Sequence, residues 1–165
     1  MEASARELIA PDALAELYRQ HAQQLFATAF RLLGTREDAE DVVHDFFVGL
    51  PEALRHYEER GTFLAWARRV VARLALSRMR SPSARATTLD DVTMPAARER
   101  DTLGGIALAD AVASLSPSLR AVLVLREIEG FTHAEVSSML GISVAASEVR
   151  LHRALRSLRT LLGER

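Results

Sequence analysis

The 165-residue sequence contains no cysteine, no lysine and no asparagine. Without cysteine the chain has no disulfide, no thiolate ligand for a metal ion and no cysteine nucleophile. No apolar run approaches the roughly 18 residues needed to span a bilayer. The first ten residues carry charges and have no apolar signal-peptide core. The sequence therefore predicts a cytoplasmic protein with no membrane insertion.

Aromatic residues are scarce, at 5%, although the hydrophobic fraction of 48% is enough for buried cores. All 21 basic residues are arginine, a bias typical of a GC-rich genome. Every basic contact of this protein must therefore be made by a planar, permanently charged guanidinium group.

The net charge of −1 hides a segregation of charge along the chain. Residues 36–52 contain one arginine and six acidic residues, whereas residues 55–80 contain seven arginines and two acidic residues. Adjacent segments of opposite charge indicate either two different partners or simply two solvated helix faces.

Hydrophobic positions at helical spacing run through most of the chain, and no convincing strand pattern is present. The first half predicts three helices. Thr35 caps the second, which Pro51 ends or kinks; the third carries Phe63 and Trp66.

The pattern dissolves between Ser81 and about Ala107, where Ser, Thr, Pro, Ala and Arg predominate. Helical spacing returns near Leu108. The predicted fold is therefore all-α, with two small helical domains and a flexible linker. The first domain has three to four helices in residues 8–81, the linker covers 82–107, and a helix-turn-helix domain covers 108–163.

Residues 131–160 have the spacing of a helix-turn-helix. Thr132 and Glu135 form a capping box for its first helix, and a glycine turn precedes its second helix. In this motif the second helix enters the major groove of DNA. Here that helix carries arginines at three-residue spacing: Arg150, Arg153, Arg156 and Arg159. The alternative is an ordinary helical hairpin with a solvated arginine face.

These motifs also resemble a known family. The stretch from Leu115 to Ala154 is similar to region 4 of extracytoplasmic-function (ECF) sigma factors, in the sigma-70 family. Gly34 to Phe47 resembles their core-binding helix in region 2, and Phe63 to Val70 resembles their promoter-melting helix. The resemblance implies an alternative sigma factor that binds core RNA polymerase, recognises the −35 element and melts the −10 element of promoters.

The resemblance also implies partners and positions. The partners would be the β′ coiled coil and β flap of core RNA polymerase, promoter DNA and an anti-sigma factor; no catalytic residue, metal or cofactor is expected. The implied polymerase-binding residues are Asp41, His44, Asp45 and Phe46. The implied −10 residues are Arg55, His56, Tyr57, Arg60, Trp66, Arg69, Arg73, Arg78 and Arg80. The implied −35 residues are Ser143, Ala146, Glu148, Arg150, His152 and Arg153.

The sequence departs from the family pattern at several positions. Relatives often carry asparagine and aspartate where this chain has Arg73 and Ser77, and glutamine where it has His44. In the recognition helix, Glu148 replaces a lysine. A glutamate would repel phosphate but could accept a hydrogen bond from the amino group of cytosine.

Three other functions are weighed against a sigma factor. One is a sigma-like adaptor or decoy that binds polymerase or an anti-sigma factor without promoter activity. Another is a dimeric helix-turn-helix repressor, which leaves the acidic segment 36–52 unexplained. The last is an enzyme, which the scattered histidines and the absence of a phosphate-binding or Ser/His/Asp motif disfavour.

Overall fold

The structure is a computed structural model, and it describes residues 11–55, 57, 61–81 and 104–163, with only the backbone of 104–106. Within these ranges the chain forms helices and no strand, which confirms the all-α prediction. The helices are α1 (Pro11–Leu33), α2 (Arg36–Arg55), α3 (Phe63–Arg80), α4 (Gly104–Ala113), α5 (Pro117–Leu123), α6 (His133–Leu140) and α7 (Val144–Leu162); a π-helical turn (Val124–Ile128) continues α5.

Contacts divide the chain into two compact units, Met1–Ala75 and Leu76–Arg165. Most of the predicted linker, residues 82–103, lies outside the described residues. Helix α4 begins at Gly104, four residues before the predicted return of helical structure at Leu108.

In the first unit, α1 and α2 form a helical hairpin around Gly34. Gly34 has a φ of 81° and its N–H donates to the carbonyl of Phe30 at 2.8 Å, which ends α1. The hairpin encloses a core of fully buried side chains from both helices: Leu25, Ala29 and Leu32 of α1, and Ala39, Leu50 and Leu54 of α2.

The sequence predicts that Pro51 ends or kinks α2; the helix continues through Pro51 to Arg55, so Pro51 does not end it. Proline removes one N–H donor and crowds the preceding turn, which costs about 3 kcal/mol in a helix interior. Leu50 and Leu54 lie on either side of it and are both fully buried. Their burial in the core offsets that cost and keeps the last turn helical.

In the second unit, α5 passes directly into the π-helical turn. The Glu129 N–H donates to the carbonyl of Val124 at 2.9 Å, one residue further back than in an α-helix. Arg120 donates to the carbonyl of Ala113 at 3.0 Å, and burial lowers the pKa of its guanidinium.

Helices α6 and α7 form the predicted helix-turn-helix. The Thr132 hydroxyl accepts from the Glu135 N–H at 3.2 Å, and the Glu135 carboxylate accepts from the Thr132 N–H at 2.8 Å. This confirms the capping box. Gly141 then turns the chain with a φ of 65°, a conformation that favours glycine.

Candidate polymerase-binding and nucleic-acid interfaces

The structure places Asp41, His44 and Asp45 together on the exposed side of α2, and we call these three residues the acidic edge. The side chains of His44 and Asp45 are 77% and 65% exposed, and His44 Nδ1 lies 3.8 Å from Asp45 Oδ1. Positions three and four residues apart share one face of a helix. The edge therefore offers two carboxylates and an imidazole to a partner.

Phe46 does not belong to this edge. Its side chain is only 3% exposed, with its ring centroid 5.1 Å from that of Phe47 and 6.0 Å from that of Trp66. The prediction that Phe46 contacts polymerase is therefore corrected, because its side chain belongs to the core of the first unit.

A groove of about 590 Å³ lies beside the acidic edge, between α1 and α2. Its apolar surface comes from Tyr18, Phe26, Phe47 and Val48, and His44 also lines it. This groove could not be predicted from the sequence, since aromatic residues at helical spacing predict core packing. Val48 and Tyr18 are in fact 67% and 52% exposed.

An ion pair lines the same groove. Arg36 Nε lies 2.7 Å from a carboxylate oxygen of Glu40, one turn further along α2. The Arg36 guanidinium carbon also lies 5.8 Å from the centroid of the Phe26 ring, within reach of a cation–π contact. The groove thus combines aromatic walls with a charged pair.

Three arginines predicted to meet the −10 element, Arg69, Arg73 and Arg80, are exposed on α3. Arg78 is half-buried near the end of the same helix. Arg55 lies at the end of α2 with its guanidinium 3.1 Å from Glu52. The structure gives α3 an exposed cationic row. Two further predicted residues, His56 and Arg60, lie outside the described residues.

Trp66 is half-buried at the centre of an aromatic cluster in the first unit. Its ring centroid lies 5.0 Å from that of Tyr57 and 5.7 Å from that of Phe63. The Tyr57 hydroxyl donates to the carbonyl of Gly61 at 3.4 Å, which connects Tyr57 to the residues just before α3. Both aromatic candidates therefore pack in the fold while keeping part of their surface accessible.

His21 packs on the same cluster, with its ring centroid 5.2 Å from that of Phe63. Its Nδ1 atom is buried and has no hydrogen-bond partner. Burial lowers the pKa of His21, so the ring favours its neutral form.

On α7, Glu148, His152 and Arg153 are exposed, and Arg150 is half-buried. The hydroxyl of Ser143 accepts from the N–H of Ala146 at 3.0 Å and so caps the helix. The structure thus places all six predicted −35 residues in the first three turns of α7 or at its cap.

His152 is paired with Arg156, whose Nη2 lies 3.1 Å from His152 Nε2. Because a guanidinium can only donate hydrogen bonds, Nε2 of His152 is the acceptor in this contact. The contact connects two exposed side chains one turn apart on α7.

The position of α7 depends on a residue, Ser147, that no sequence pattern singles out. Ser147 is fully buried, and its Oγ lies 2.9 Å from Nδ1 of His133 at the start of α6. Buried polar groups are costly unless they are hydrogen-bonded. The contact therefore constrains how α7 lies against α6, which sets the side of α7 that faces outward.

Among the described residues, no group of three histidine, aspartate or glutamate side chains is placed to hold a metal ion. None of the helices in the described ranges combines the length and apolar character that a membrane span requires.

Comparison with known proteins agrees with this arrangement. Family models for sigma-70 region 2 and sigma-70 region 4 match residues 17–85 and 106–158. The chain is 32% identical over 158 residues to ECF RNA polymerase sigma factor SigE of Mycolicibacterium smegmatis, covering 90% of this chain and 61% of SigE. It is 31% identical over 160 residues to RNA polymerase sigma factor CarQ of Myxococcus xanthus, covering 94% of this chain and 92% of CarQ.

Solved structures show the same fold. The sigma factor RpoE of Bartonella quintana, solved with the anti-sigma factor NepR, matches with a TM-score of 0.64 at 21% identity, covering 90% of this chain and 96% of RpoE. CnrH, solved with the cytosolic domain of CnrY, matches with a TM-score of 0.55 at 28% identity, covering 96% of this chain and 94% of CnrH.

Two helical units with a helix-turn-helix in the second match the two-region organisation of the sigma-70 models. The chain belongs to the sigma-70 family, and within it to the ECF sigma factors. It is thus an alternative sigma factor for transcription initiation, and such factors are regulatory proteins rather than catalysts.

Proposed function

We propose that this chain binds core RNA polymerase through the acidic edge and the neighbouring groove, and directs initiation at promoters whose −35 element α7 recognises and whose −10 element α3 melts. One observation carries the proposal. Helix α7 buries Ser147 and Ala154 on its inner side and exposes Arg153, Arg156 and Arg159. Such a surface suits the phosphates and base edges of a DNA major groove.

The acidic edge and the groove beside it suit a basic partner that can insert an apolar side chain into the groove. Two carboxylates, Asp41 and Asp45, lie on the exposed side of α2, and the aromatic groove opens beside them. Exposed charges of opposite sign accelerate encounter and set orientation, whereas an inserted apolar side chain contributes more of the affinity. By family resemblance the partner is the coiled coil of the polymerase β′ subunit.

The cationic row of α3 suits the single strand of a melted −10 element. Arg69, Arg73 and Arg80 are exposed along the helix, and the partly accessible ring of Trp66 lies one turn before Arg69. Single-stranded nucleic acid binds to surfaces that combine positive charge with aromatic rings on which bases stack. The aromatic cluster would therefore have two uses, as core and as a stacking surface.

An anti-sigma factor is proposed as a second protein partner. CnrH, which shares this fold at 28% identity, was solved with the cytosolic domain of CnrY. A partner that covered the acidic edge or the groove would compete directly with polymerase for the same side chains.

A sigma-like adaptor without promoter activity is the alternative, and Glu148 is the observation that favours it. This carboxylate is exposed near the start of α7, on the helix proposed to meet DNA. A negative charge there opposes phosphate binding. The alternative predicts binding to polymerase without promoter-specific transcription.

Size-exclusion chromatography with core RNA polymerase tests docking. We expect the wild-type chain to co-elute with polymerase and Asp41→Arg/Asp45→Arg to elute separately, because the reversal places cations opposite a basic partner. Asp110→Arg/Glu127→Arg is the matched control, since it makes the same charge change at exposed positions of the second unit. Co-elution by the acidic-edge variant, or its loss in the control, contradicts the docking site.

A second variant tests the groove without changing charge. Val48→Ser removes an exposed apolar side chain from the groove wall. We expect its affinity for polymerase to fall about threefold to tenfold, since losing a buried apolar group costs about 1 kcal/mol. Run-off transcription with the same proteins separates the two functions: an adaptor binds polymerase but yields no promoter-specific transcript.

A further inference from the structure

Val149 is an apolar side chain on the outward side of the recognition helix. It follows the fully buried Ser147 by two residues, which is about 200° of helical turn and places it almost opposite the core. Its side chain is 49% exposed. Helical spacing alone assigns Val149 to the apolar side of α7, whereas the structure presents it outward.

Polar and charged side chains surround Val149 without covering it. His152 and Arg156 continue its row, three and seven residues further along, and both are exposed. Glu148 and Arg153 lie to either side of that row and are exposed as well. The centre of the predicted DNA-facing surface is therefore apolar, and its cations lie beside and beyond that centre.

We infer that Val149 recognises the methyl group of a thymine in the −35 element, while Glu148 beside it accepts a hydrogen bond from the amino group of a neighbouring cytosine. This inference rests on the proposed function, because it requires α7 to enter the major groove. The C5-methyl of thymine is the apolar feature that a base edge presents there, and cytosine offers an amino donor that suits a carboxylate.

The charge around Val149 favours DNA over a protein as the partner that covers it. Arg150, Arg153 and Arg156 lie within two turns of Val149, and each can only donate hydrogen bonds. Phosphates flank a major groove on both sides and accept such bonds. In this arrangement the Glu148 carboxylate faces a base edge, where it contributes to sequence specificity, and lies away from the phosphates.

The test uses the full chain assembled with core RNA polymerase. Holoenzyme is used to select promoters from a duplex library randomised across the −35 window, and the enriched sequences are read. Each thymine of the best promoter is then replaced singly by uracil, which removes only the methyl group. Promoter occupancy is measured for wild type, Val149→Ala and the control Leu161→Ala, a 52% exposed apolar side chain at the far end of α7.

We expect uracil at one −35 thymine to lower wild-type occupancy about fourfold, the effect of one buried methyl group. Val149→Ala should lower occupancy on the thymine promoter and respond to uracil by less than twofold, whereas Leu161→Ala should behave as wild type. Glu148→Gln should shift the neighbouring preference from cytosine to adenine, because a glutamine amide pairs with the adenine edge.

Two results overturn the inference and leave the proposed function intact. One is an enriched −35 element without thymine, and the other is a uracil effect that is absent or that persists in Val149→Ala. A library in which wild-type holoenzyme enriches no −35 sequence overturns both the inference and the proposed −35 recognition. Polymerase co-elution without any enrichment would support the sigma-like adaptor without promoter activity.

Discussion

Nδ1 of His133 lies 2.9 Å from Oγ of Ser147, and this hydrogen bond connects the two helices of the helix-turn-helix. Ser147 is fully buried, so water cannot replace the hydrogen bond of its hydroxyl if the partner is lost. The residues that face DNA in the proposed function are positioned by this internal contact, since it sets the rotation of α7 against α6.

Ser147→Ala should therefore destabilise the second unit by about 1–2 kcal/mol, because it removes a buried hydrogen bond and leaves the His133 nitrogen without that partner. Urea unfolding followed by circular dichroism measures the change. Ser138→Ala is the control, since Ser138 is an exposed serine of α6. Equal stability of the two variants would mean that the His133–Ser147 contact contributes nothing.

Two glycines should respond to alanine in opposite directions. Gly141 ends α6 with a φ of 65°, where alanine is strained, so Gly141→Ala should destabilise the chain by about 1–2 kcal/mol. Gly49 lies inside α2, and a Cβ there meets nothing within 4 Å. Gly49→Ala should stabilise by about 0.5–1 kcal/mol. Unfolding midpoints that move in the same direction for both variants would contradict the claim that Gly141 requires a left-handed conformation and Gly49 does not.

Stability should depend on pH through His21. Burial lowers the pKa of His21 below its ordinary value of 6.5, so the unfolded chain binds a proton at a pH where the folded chain does not. The free energy of unfolding should therefore fall as the pH drops through 6.5 and reach its full loss below the folded-state pKa.

The measurement compares wild type with His21→Gln, which cannot titrate, by urea unfolding at about pH 7.5 and about pH 5.5. We expect the wild type to lose more stability between the two conditions than the variant does, since the other four histidines are common to both proteins. An identical loss in both proteins would show that His21 is equally protonated in the folded and unfolded chains.

Local sequence signals predicted the boundaries of most helices. The capping box of Thr132 and Glu135 and the left-handed glycines at 34 and 141 lie where the sequence indicates, because they depend on interactions within one or two turns. Helix α4 begins earlier than the sequence predicts, because its alanine- and glycine-rich residues carry little periodic signal.

The helical segments, the separation of acidic and basic stretches and the family of the chain could all be inferred from residue order, because each depends on short-range patterns. Which side chains are available at a surface became clear from the packing of the helices. The side chain of Phe46 is buried, whereas that of Val149 is exposed. Helix α2 continues past Pro51, and the buried Ser147 forms a hydrogen bond with His133. Burial depends on how neighbouring helices pack, whereas periodicity shows that a helix face is apolar and does not show what covers it.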